Sequence, residues 1–262
     1  MPTVLDRIVA NKREEIAFAK TRRDLQSLMD AAILGPEIRD FLLALRGHEY
    51  VRLIAEVKRA SPSKGMIRPQ FDPTDIALAY EAGGAAAISV LTDEPFFQGR
   101  LDYLTAIRAK VSIPLLRKDF ILDEYQVYEA RVAGADAVLL IAECLEGDEL
   151  SRLYDLIQSL GMTALIEFYH PKHLERVLAT GTKLVGVNNR DLHTFAVELD
   201  HVIRLRSEIP ADVTVVAESG IFTAADVEKI HLANIQAMLV GESLMRQSDI
   251  RQATINLLGP SL

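Results

Sequence analysis

Residues 51–58 read VRLIAEVK, a short apolar run that ends in a carboxylate and an ammonium group. Val, Ile and Leu dominate the run, as is typical of a strand buried on both faces of a parallel sheet. Seven further runs of this kind follow, so we predict eight strands in all. They are residues 51–57, 86–91, 113–116, 137–142, 163–166, 183–187, 213–217 and 237–240.

Segments with a helical pattern of apolar and charged residues separate these runs. Asp72 and Pro73 form a typical helix start, and Gly134, Gly161 and Gly181 follow helix ends, where a left-handed residue is favoured. The predicted helices are residues 73–82, 101–110, 123–133, 148–160, 171–179, 199–207 and 223–232.

Regular alternation of strands and helices predicts an α/β protein, either an open doubly wound sheet or a closed barrel. Eight strands favour the barrel, and no Gly-x-Gly-x-x-Gly nucleotide fingerprint follows the first strand. We therefore expect a (β/α)8 TIM barrel over residues 51–262. Residues 1–50 read as a helical extension that packs on the barrel within one domain, either as a plug beneath it or as a lid near the site.

The overall charge argues against several partners. A net charge of −8 disfavours nucleic acid and anionic membranes, and no apolar stretch has the length of a membrane span or signal peptide. Cys144 is the only cysteine, so no intrachain disulfide can form and we expect a cytoplasmic protein. We also expect a monomer or weak homo-oligomer. Glu143 and Glu146 beside Cys144 would raise the thiol pKa, so we interpret it as unreactive.

Polar residues end five of the eight predicted strands. In a TIM barrel the chemistry lies at the C-terminal ends of the strands, and Glu56 and Lys58 are two residues apart, so they share one face. A single buried charge is often structural, but agreement among five strands indicates catalysis or binding. The others are Arg117, Lys118 and Asp119 after strand three, Glu167 after strand five, Asn188 and Arg190 after strand six, and Glu218 after strand seven.

The loops after strands seven and eight have the composition of a phosphate site. Their glycines allow close backbone approach, and a short helix that starts near Ser243 adds the positive end of its dipole. We predict phosphate contacts from Ser219, Gly220, Gly241, Glu242 and Ser243.

The sequence lacks the residue patterns of a metal site and of an acyl-transfer site. His170 and His173 have no carboxylate partners at metal-ligand spacing, so we expect no metal. No Gly-x-Ser-x-Gly elbow is present for acyl transfer. The basic loop after strand one, with Ser61 and Lys64, instead looks like a flap that supplies positive charge to an anionic substrate.

Six stretches of this chain resemble the indole-3-glycerol phosphate synthase family in order and spacing. They are IAEVKRASPSKG at 54–65, ISVLTDEPFFQG at 88–99, LRKDF at 116–120, GVNNRDL at 186–192, ESGI at 218–221 and GESLMR at 241–246. The match continues to DRI and NKR near residue 10. This chain departs from the family in having Phe168 and Tyr169 after Glu167, where Val-His is common, and Arg100 where a smaller residue is frequent.

The resemblance implies conversion of 1-(2-carboxyphenylamino)-1-deoxyribulose 5-phosphate to indole-3-glycerol phosphate, with loss of CO₂ and water and without a cofactor. We assign Lys118 as general acid and Glu167 as general base, with Lys58 on the carboxylate that is lost and Glu56 holding the lysines charged and oriented. Further substrate contacts are expected from Asn188, Glu218, Ser61, Arg190, Phe97 and Phe120.

Two alternatives stay open from the residues alone. Another phosphate-binding barrel enzyme could be an isomerase, or an aldolase that uses Lys118 or Lys58 as a Schiff-base nucleophile. A barrel that only binds a phosphorylated metabolite would be a sensor, although such a protein has no need of paired acids and bases.

Overall fold

Eight parallel strands close into a barrel in a computed structural model that describes residues 3–191 and 196–259. Each strand pairs with the next along the chain, and the eighth pairs with the first, which confirms the predicted (β/α)8 architecture. The strands are β1 (Arg52–Val57), β2 (Ala87–Leu91), β3 (Leu115–Lys118), β4 (Ala137–Ile141), β5 (Thr163–Phe168), β6 (Leu184–Asn188), β7 (Thr214–Glu218) and β8 (Ala237–Val240).

Four of the eight strands, β3, β5, β6 and β7, reach further toward their C-terminal ends than the apolar runs predicted. Lys118, Glu167, Asn188 and Glu218 lie within strands, so their backbones are fixed by the sheet. The third strand also begins two residues late. Pro114 explains this shift because it has no N–H to donate to the ladder.

Helices surround the barrel and cover both of its ends. They are α1 (Val4–Arg22), α2 (Leu25–Ile33), α3 (Phe41–Leu45), α4 (Pro73–Ala82), α5 (Glu94–Phe97), α6 (Leu101–Arg108), α7 (Glu124–Ala133), α8 (Glu149–Ser159), α9 (Leu174–Ala179), α10 (Asp200–Arg206), α11 (Ala224–Leu232), α12 (Glu242–Met245) and α13 (Ile250–Leu258). Within the described ranges, none of these helices is both long and apolar enough to cross a membrane.

The apolar core has two layers that follow the alternation of side chains along each strand. Leu53, Ala55 and Val57 of β1 face outward and pack with the helices. Ile54 faces inward and packs with residues such as Leu116 from the other strands, filling the lower barrel. The charged residues lie above this apolar plug, at the C-terminal end.

The N-terminal extension covers both ends of the barrel. Phe41 and Leu45 of α3 are fully buried and pack against the barrel interior near the N-terminal strand ends. In contrast, Leu5 and Ile8 of α1 lie at the C-terminal end, where they line a cavity. The plug and the lid that the sequence offered as alternatives are thus two different segments of one extension.

Candidate active site

A cavity of about 180 Å³ opens at the C-terminal end of the barrel. Its wall brings together the residues for which the sequence predicts a catalytic, substrate or phosphate role, although those roles stay predictions. Arg117, which the sequence also placed among the polar strand ends, is not part of this wall and pairs with Asp119 and Glu129. The predicted residues in the wall are Glu56, Lys58, Ser61, Phe97, Lys118, Phe120, Glu167, Asn188, Arg190, Glu218, Ser219, Gly220, Gly241, Glu242 and Ser243.

Lys118 is held between two carboxylates at the centre of the cavity. Its Nζ lies 2.5 Å from Glu167 Oε2 and 2.8 Å from Glu218 Oε2. With Glu56, these residues come from strands β1, β3, β5 and β7, and alternate strands contribute to one layer in a TIM barrel. The four sequence segments therefore need not converge by chance, because the barrel places them at one level.

The surrounding carboxylates stabilise the charged form of Lys118. Burial alone would lower the pKa of Lys118, but the carboxylates of Glu167, Glu218 and Glu56 outweigh burial and raise the pKa above its usual value. Lys118 is thus a protonated ammonium group, which can donate hydrogen bonds and protons but cannot act as an amine nucleophile until it loses a proton.

The two carboxylates beside Lys118 differ in charge. Burial and the nearby Glu167 raise the pKa of Glu218 to about 8, despite the opposing effect of Lys118. Burial would also raise the pKa of Glu167, but Lys118 and a hydrogen bond from Asn188 Nδ2 at 2.8 Å lower it overall. At neutral pH Glu167 is therefore the ionised member of the pair, and Glu218 carries the proton.

Two glycines make room for carboxylates inside the barrel. A Cβ atom on Gly186 would overlap Glu218 Oε1, and one on Gly241 would overlap Glu56 Oε2. The sequence predicts Gly241 as a phosphate contact, whereas Gly186 was not predicted to contribute to the site. The signal for Gly186 was its inward-facing place in β6, two residues before Asn188.

At the end of β1, Lys58 pairs with Glu56. The sequence predicts that Glu56 holds both lysines charged and oriented, which stays a prediction. Glu56 contributes to the raised pKa of Lys118, whose direct partners are on β5 and β7. The loop that follows contains a short hairpin, Ala60–Ser61 paired with Gly65–Met66. Beyond it, Arg68 donates hydrogen bonds to the carbonyls of Met245 and Gln247 at 3.0 and 2.8 Å, which joins this loop to the last barrel loop.

The two glycine-containing loops lie side by side. Ser219 and Gly220 both have positive φ, at 64° and 81°, and form a tight turn after β7. The hydroxyl of Ser243 donates to the carbonyl of Ile221 at 3.2 Å, which ties the loop after β8 to the loop after β7. Gly241 lies between β8 and the short helix α12, so that helix begins at the cavity.

An apolar wall closes the opposite side of the cavity. The rings of Phe97 and Phe120 are 6.1 Å apart and both line it. Leu5 and Ile8 of α1 complete the wall, and the sequence analysis did not assign them to the site. Their apolar stripe was visible in the sequence, but it did not show which surface of the barrel α1 covers.

The residues that depart from the family pattern lie outside the cavity lining. Phe168 is fully buried in the core between sheet and helices. Tyr169 stacks on His201, with ring centroids 4.6 Å apart. Across residues 3–191 and 196–259, no group of His, Cys, Asp or Glu side chains is arranged to hold a metal ion.

Cys144 lies close to the site, but its thiol is unreactive. The side chain is buried, and burial together with Glu143 and Glu167 raises the pKa of the thiol above its usual value. Glu143 is one of the two neighbouring glutamates that the sequence predicts to raise this pKa. A thiolate nucleophile is therefore disfavoured at this position.

Known proteins match the chain over nearly its whole length. The sequence profile of the family described as indole-3-glycerol phosphate synthase matches residues 5–257. A protein of that name from Rhodopirellula baltica is 57% identical over 256 residues, covering 98% of this chain and 99% of the relative. One from Polaromonas sp. strain JS666 is 49% identical over 262 residues, with 99% of each chain covered.

Solved structures with lower sequence identity share the fold. A 3-hexulose-6-phosphate synthase aligns with a TM-score of 0.64 at 15% identity, covering 79% of this chain and 98% of the other. An N-acetylmannosamine-6-phosphate 2-epimerase from Clostridium perfringens aligns with a TM-score of 0.62 at 16% identity, covering 79% and 92%. With a profile match over nearly the whole chain and relatives at about half identity, the chain belongs to the indole-3-glycerol phosphate synthase family.

Proposed function

We propose that this protein converts 1-(2-carboxyphenylamino)-1-deoxyribulose 5-phosphate to indole-3-glycerol phosphate, CO₂ and water. The observation that supports the proposal is the central triad, in which Lys118 Nζ lies 2.5 Å from Glu167 Oε2 and 2.8 Å from Glu218 Oε2, and the two carboxylates raise the pKa of Lys118. This triad provides a proton donor and a proton acceptor within one cavity, as acid-base catalysis requires.

Ring closure is the first step. The ring carbon that bears the carboxylate attacks the ketone carbon, a carbon–carbon bond forms, and Lys118 donates a proton to the ketone oxygen. The carboxylate then leaves as CO₂, and the electron pair of the broken bond restores the aromatic ring. Loss of the new hydroxyl as water takes a second proton, either from Lys58 or from Lys118 after Lys118 has been reprotonated, while Glu167 removes a proton from the adjacent carbon.

The rest of the cavity positions the substrate. Lys58 is assigned to the carboxylate, and Phe97 and Phe120 to the aromatic ring. Glu56 orients the lysines electrostatically. Hydroxyl, amine and other polar contacts are assigned to Asn188, Glu218, Ser61 and Arg190, and the phosphate to Ser219, Gly220, Gly241, Glu242 and Ser243.

The steps use only the acid and base groups of the chain, so we propose that the reaction needs no cofactor or metal. We also propose a cytoplasmic monomer or weak homo-oligomer that binds neither nucleic acid nor membranes, on the basis of its charge and single cysteine. The extension (residues 1–50) and barrel (51–262) are proposed to form one domain.

Product formation can be followed directly by indole fluorescence, because the chain contains no tryptophan. We expect a rise in fluorescence when the purified protein is mixed with the substrate without metal or cofactor. Lys118→Ala should lose turnover by orders of magnitude and still bind substrate, whereas near-normal turnover would remove Lys118 as the acid. Glu167→Gln should stall after ring closure.

The same experiment separates the alternatives. Binding without a fluorescence rise would indicate a sensor. A covalent adduct trapped by borohydride would indicate a Schiff-base enzyme. The raised pKa of Lys118 argues against this last outcome, because a nucleophilic lysine needs a lowered pKa.

A further inference from the structure

Helix α1 carries a buried lysine directly beside its contribution to the cavity. Ile8 lines the cavity, and Lys12 follows one helical turn later on the same face. The side chain of Lys12 is only 4% exposed. Its Nζ lies 2.9 Å from Asp93 Oδ2, 3.0 Å from Asp119 Oδ1 and 2.7 Å from Glu15 Oε2.

The first of these partners fixes an aromatic wall residue. The Asp93 side chain is fully buried, and its Oδ1 accepts the backbone N–H of Phe96 at 2.9 Å. This bond caps the start of α5, the four-residue helix that ends with Phe97. Lys12 therefore contacts the residue that sets the position of Phe97.

The second partner is next to the proposed acid. Asp119 follows Lys118 directly and accepts hydrogen bonds from the Thr92 hydroxyl at 2.6 Å and from Arg117 at 3.2 Å. Its Oδ1 also accepts the backbone N–H of Phe120 at 2.8 Å. One ammonium group thus joins α1 to the loops that carry both aromatic wall residues.

Because the ion pair of Lys12 and Asp93 is buried, Asp93 depends on Lys12 to compensate its charge. A buried charge is costly unless it is paired, and removal of one partner leaves the other uncompensated. Asp119 would keep Arg117 if Lys12 were lost. Asp93 would not be compensated, since within the described part of the chain Lys12 is the only cation paired with it.

We infer that Lys12 is a positioning residue of the active site, which sets the spacing between the α1 wall and the aromatic pair Phe97 and Phe120 and thereby the affinity for the substrate ring. This inference rests on the proposed function. Lys12 lies behind the cavity wall and acts through Asp93 and Asp119.

The direct test is Lys12→Met, which keeps the length of the side chain and removes its charge. We expect KM for the carboxyphenylamino substrate to rise about tenfold, because a displaced wall loses apolar contact with the substrate ring equally in the ground state and the transition state. The value of kcat should change by less than about threefold, since Lys118 keeps its own contacts with Glu167 and Glu218.

Two control variants separate positioning from general destabilisation. Arg108→Met breaks a buried ion pair with Asp136, 2.6 Å long, at the opposite end of the barrel, and should lower the thermal midpoint without raising KM. Lys20 lies on the same helix as Lys12 and forms a solvent-exposed ion pair with Asp123 at the start of α7. Lys20→Met removes this pair and should change neither the thermal midpoint nor KM measurably.

A double variant, Lys12→Met with Asp93→Asn, keeps the test informative if the single variant folds poorly. The amide oxygen still caps α5 but carries no charge, so we expect the thermal midpoint to recover while KM stays high. Recovery of KM together with the midpoint would overturn the inference, as would an equal rise of KM in Arg108→Met. If the wild-type protein forms no indole-3-glycerol phosphate, the proposed function is refuted instead.

Discussion

The clearest consequence of the triad concerns Glu218, whose burial works against stability. Its pKa is raised from 4.5 to about 8, by burial and by Glu167, so folding forces this carboxyl group to take up a proton at neutral pH. Below pH 4.5 Glu218 is protonated in both the folded and the unfolded chain, so it costs no stability. The free energy of unfolding then falls as the pH rises from 4.5 toward 8, because only the unfolded chain ionises this group. We therefore expect Glu218→Gln, which mimics the protonated form, to be more stable than the wild type at pH 7.

The magnitude follows from the distance between pH 7 and the unfolded pKa of 4.5. Each unit is worth about 1.4 kcal/mol, so protonation of Glu218 on folding costs on the order of 3 kcal/mol at pH 7. For a chain of this size, that difference raises the thermal midpoint by about 6 °C. Near pH 5 the difference should shrink to roughly 1 kcal/mol, because the unfolded chain is then partly protonated as well.

Calorimetry of both proteins between pH 5 and pH 8 measures this difference. Glu167→Gln is the matched control with the opposite sign. The pKa of Glu167 is lowered, so its ionised form adds stability above the unfolded pKa, and the Gln variant should be less stable at pH 7. A constant gap between Glu218→Gln and wild type across this pH range would refute the assignment of the proton to Glu218. So would stabilisation by Glu167→Gln.

Three further predictions concern other parts of the molecule. Phe41→Ala should cost about 3–5 kcal/mol in urea unfolding, because the fully buried ring fills the barrel end, and should leave KM unchanged. Gly186→Ala should lower kcat/KM at least about tenfold, since the new methyl group displaces the Glu218 carboxyl; normal kinetics would contradict this clearance argument. The buried Cys144 should react with a thiol reagent only after unfolding, and rapid labelling of the folded protein would be inconsistent with its burial.

The fold could be predicted because its signals are local. Each strand is an apolar run, and each following helix has its own boundary residues, such as Asp72 and Gly134. The candidate site could also be predicted, since the barrel converts a position at a strand end into proximity in space. Lys118 and Glu218 are 100 residues apart in sequence, yet their side chains are in contact.

The rest depends on contacts that no local pattern reveals. Leu5 and Phe41 belong to similar amphipathic stretches of the extension, yet they lie at opposite ends of the barrel. The buried partners of Lys12 decide the place of α1, and they lie about 80 and 107 residues away. The difference between Glu167 and Glu218 likewise arises from their shared environment, because both are glutamates at strand ends.

The balance of charge in the cavity connects these observations to the proposed chemistry. Glu56, Glu167 and Glu218 form ion pairs with Lys58 and Lys118. Protonation of Glu218 makes this group of five side chains neutral. A substrate carboxylate that pairs with Lys58 adds one negative charge to this buried layer, which is unfavourable at low dielectric. CO₂ leaves as a neutral molecule, so in the proposed reaction its loss does not change the net charge of this layer; the electron pair that it leaves behind neutralises the cationic ring formed by closure.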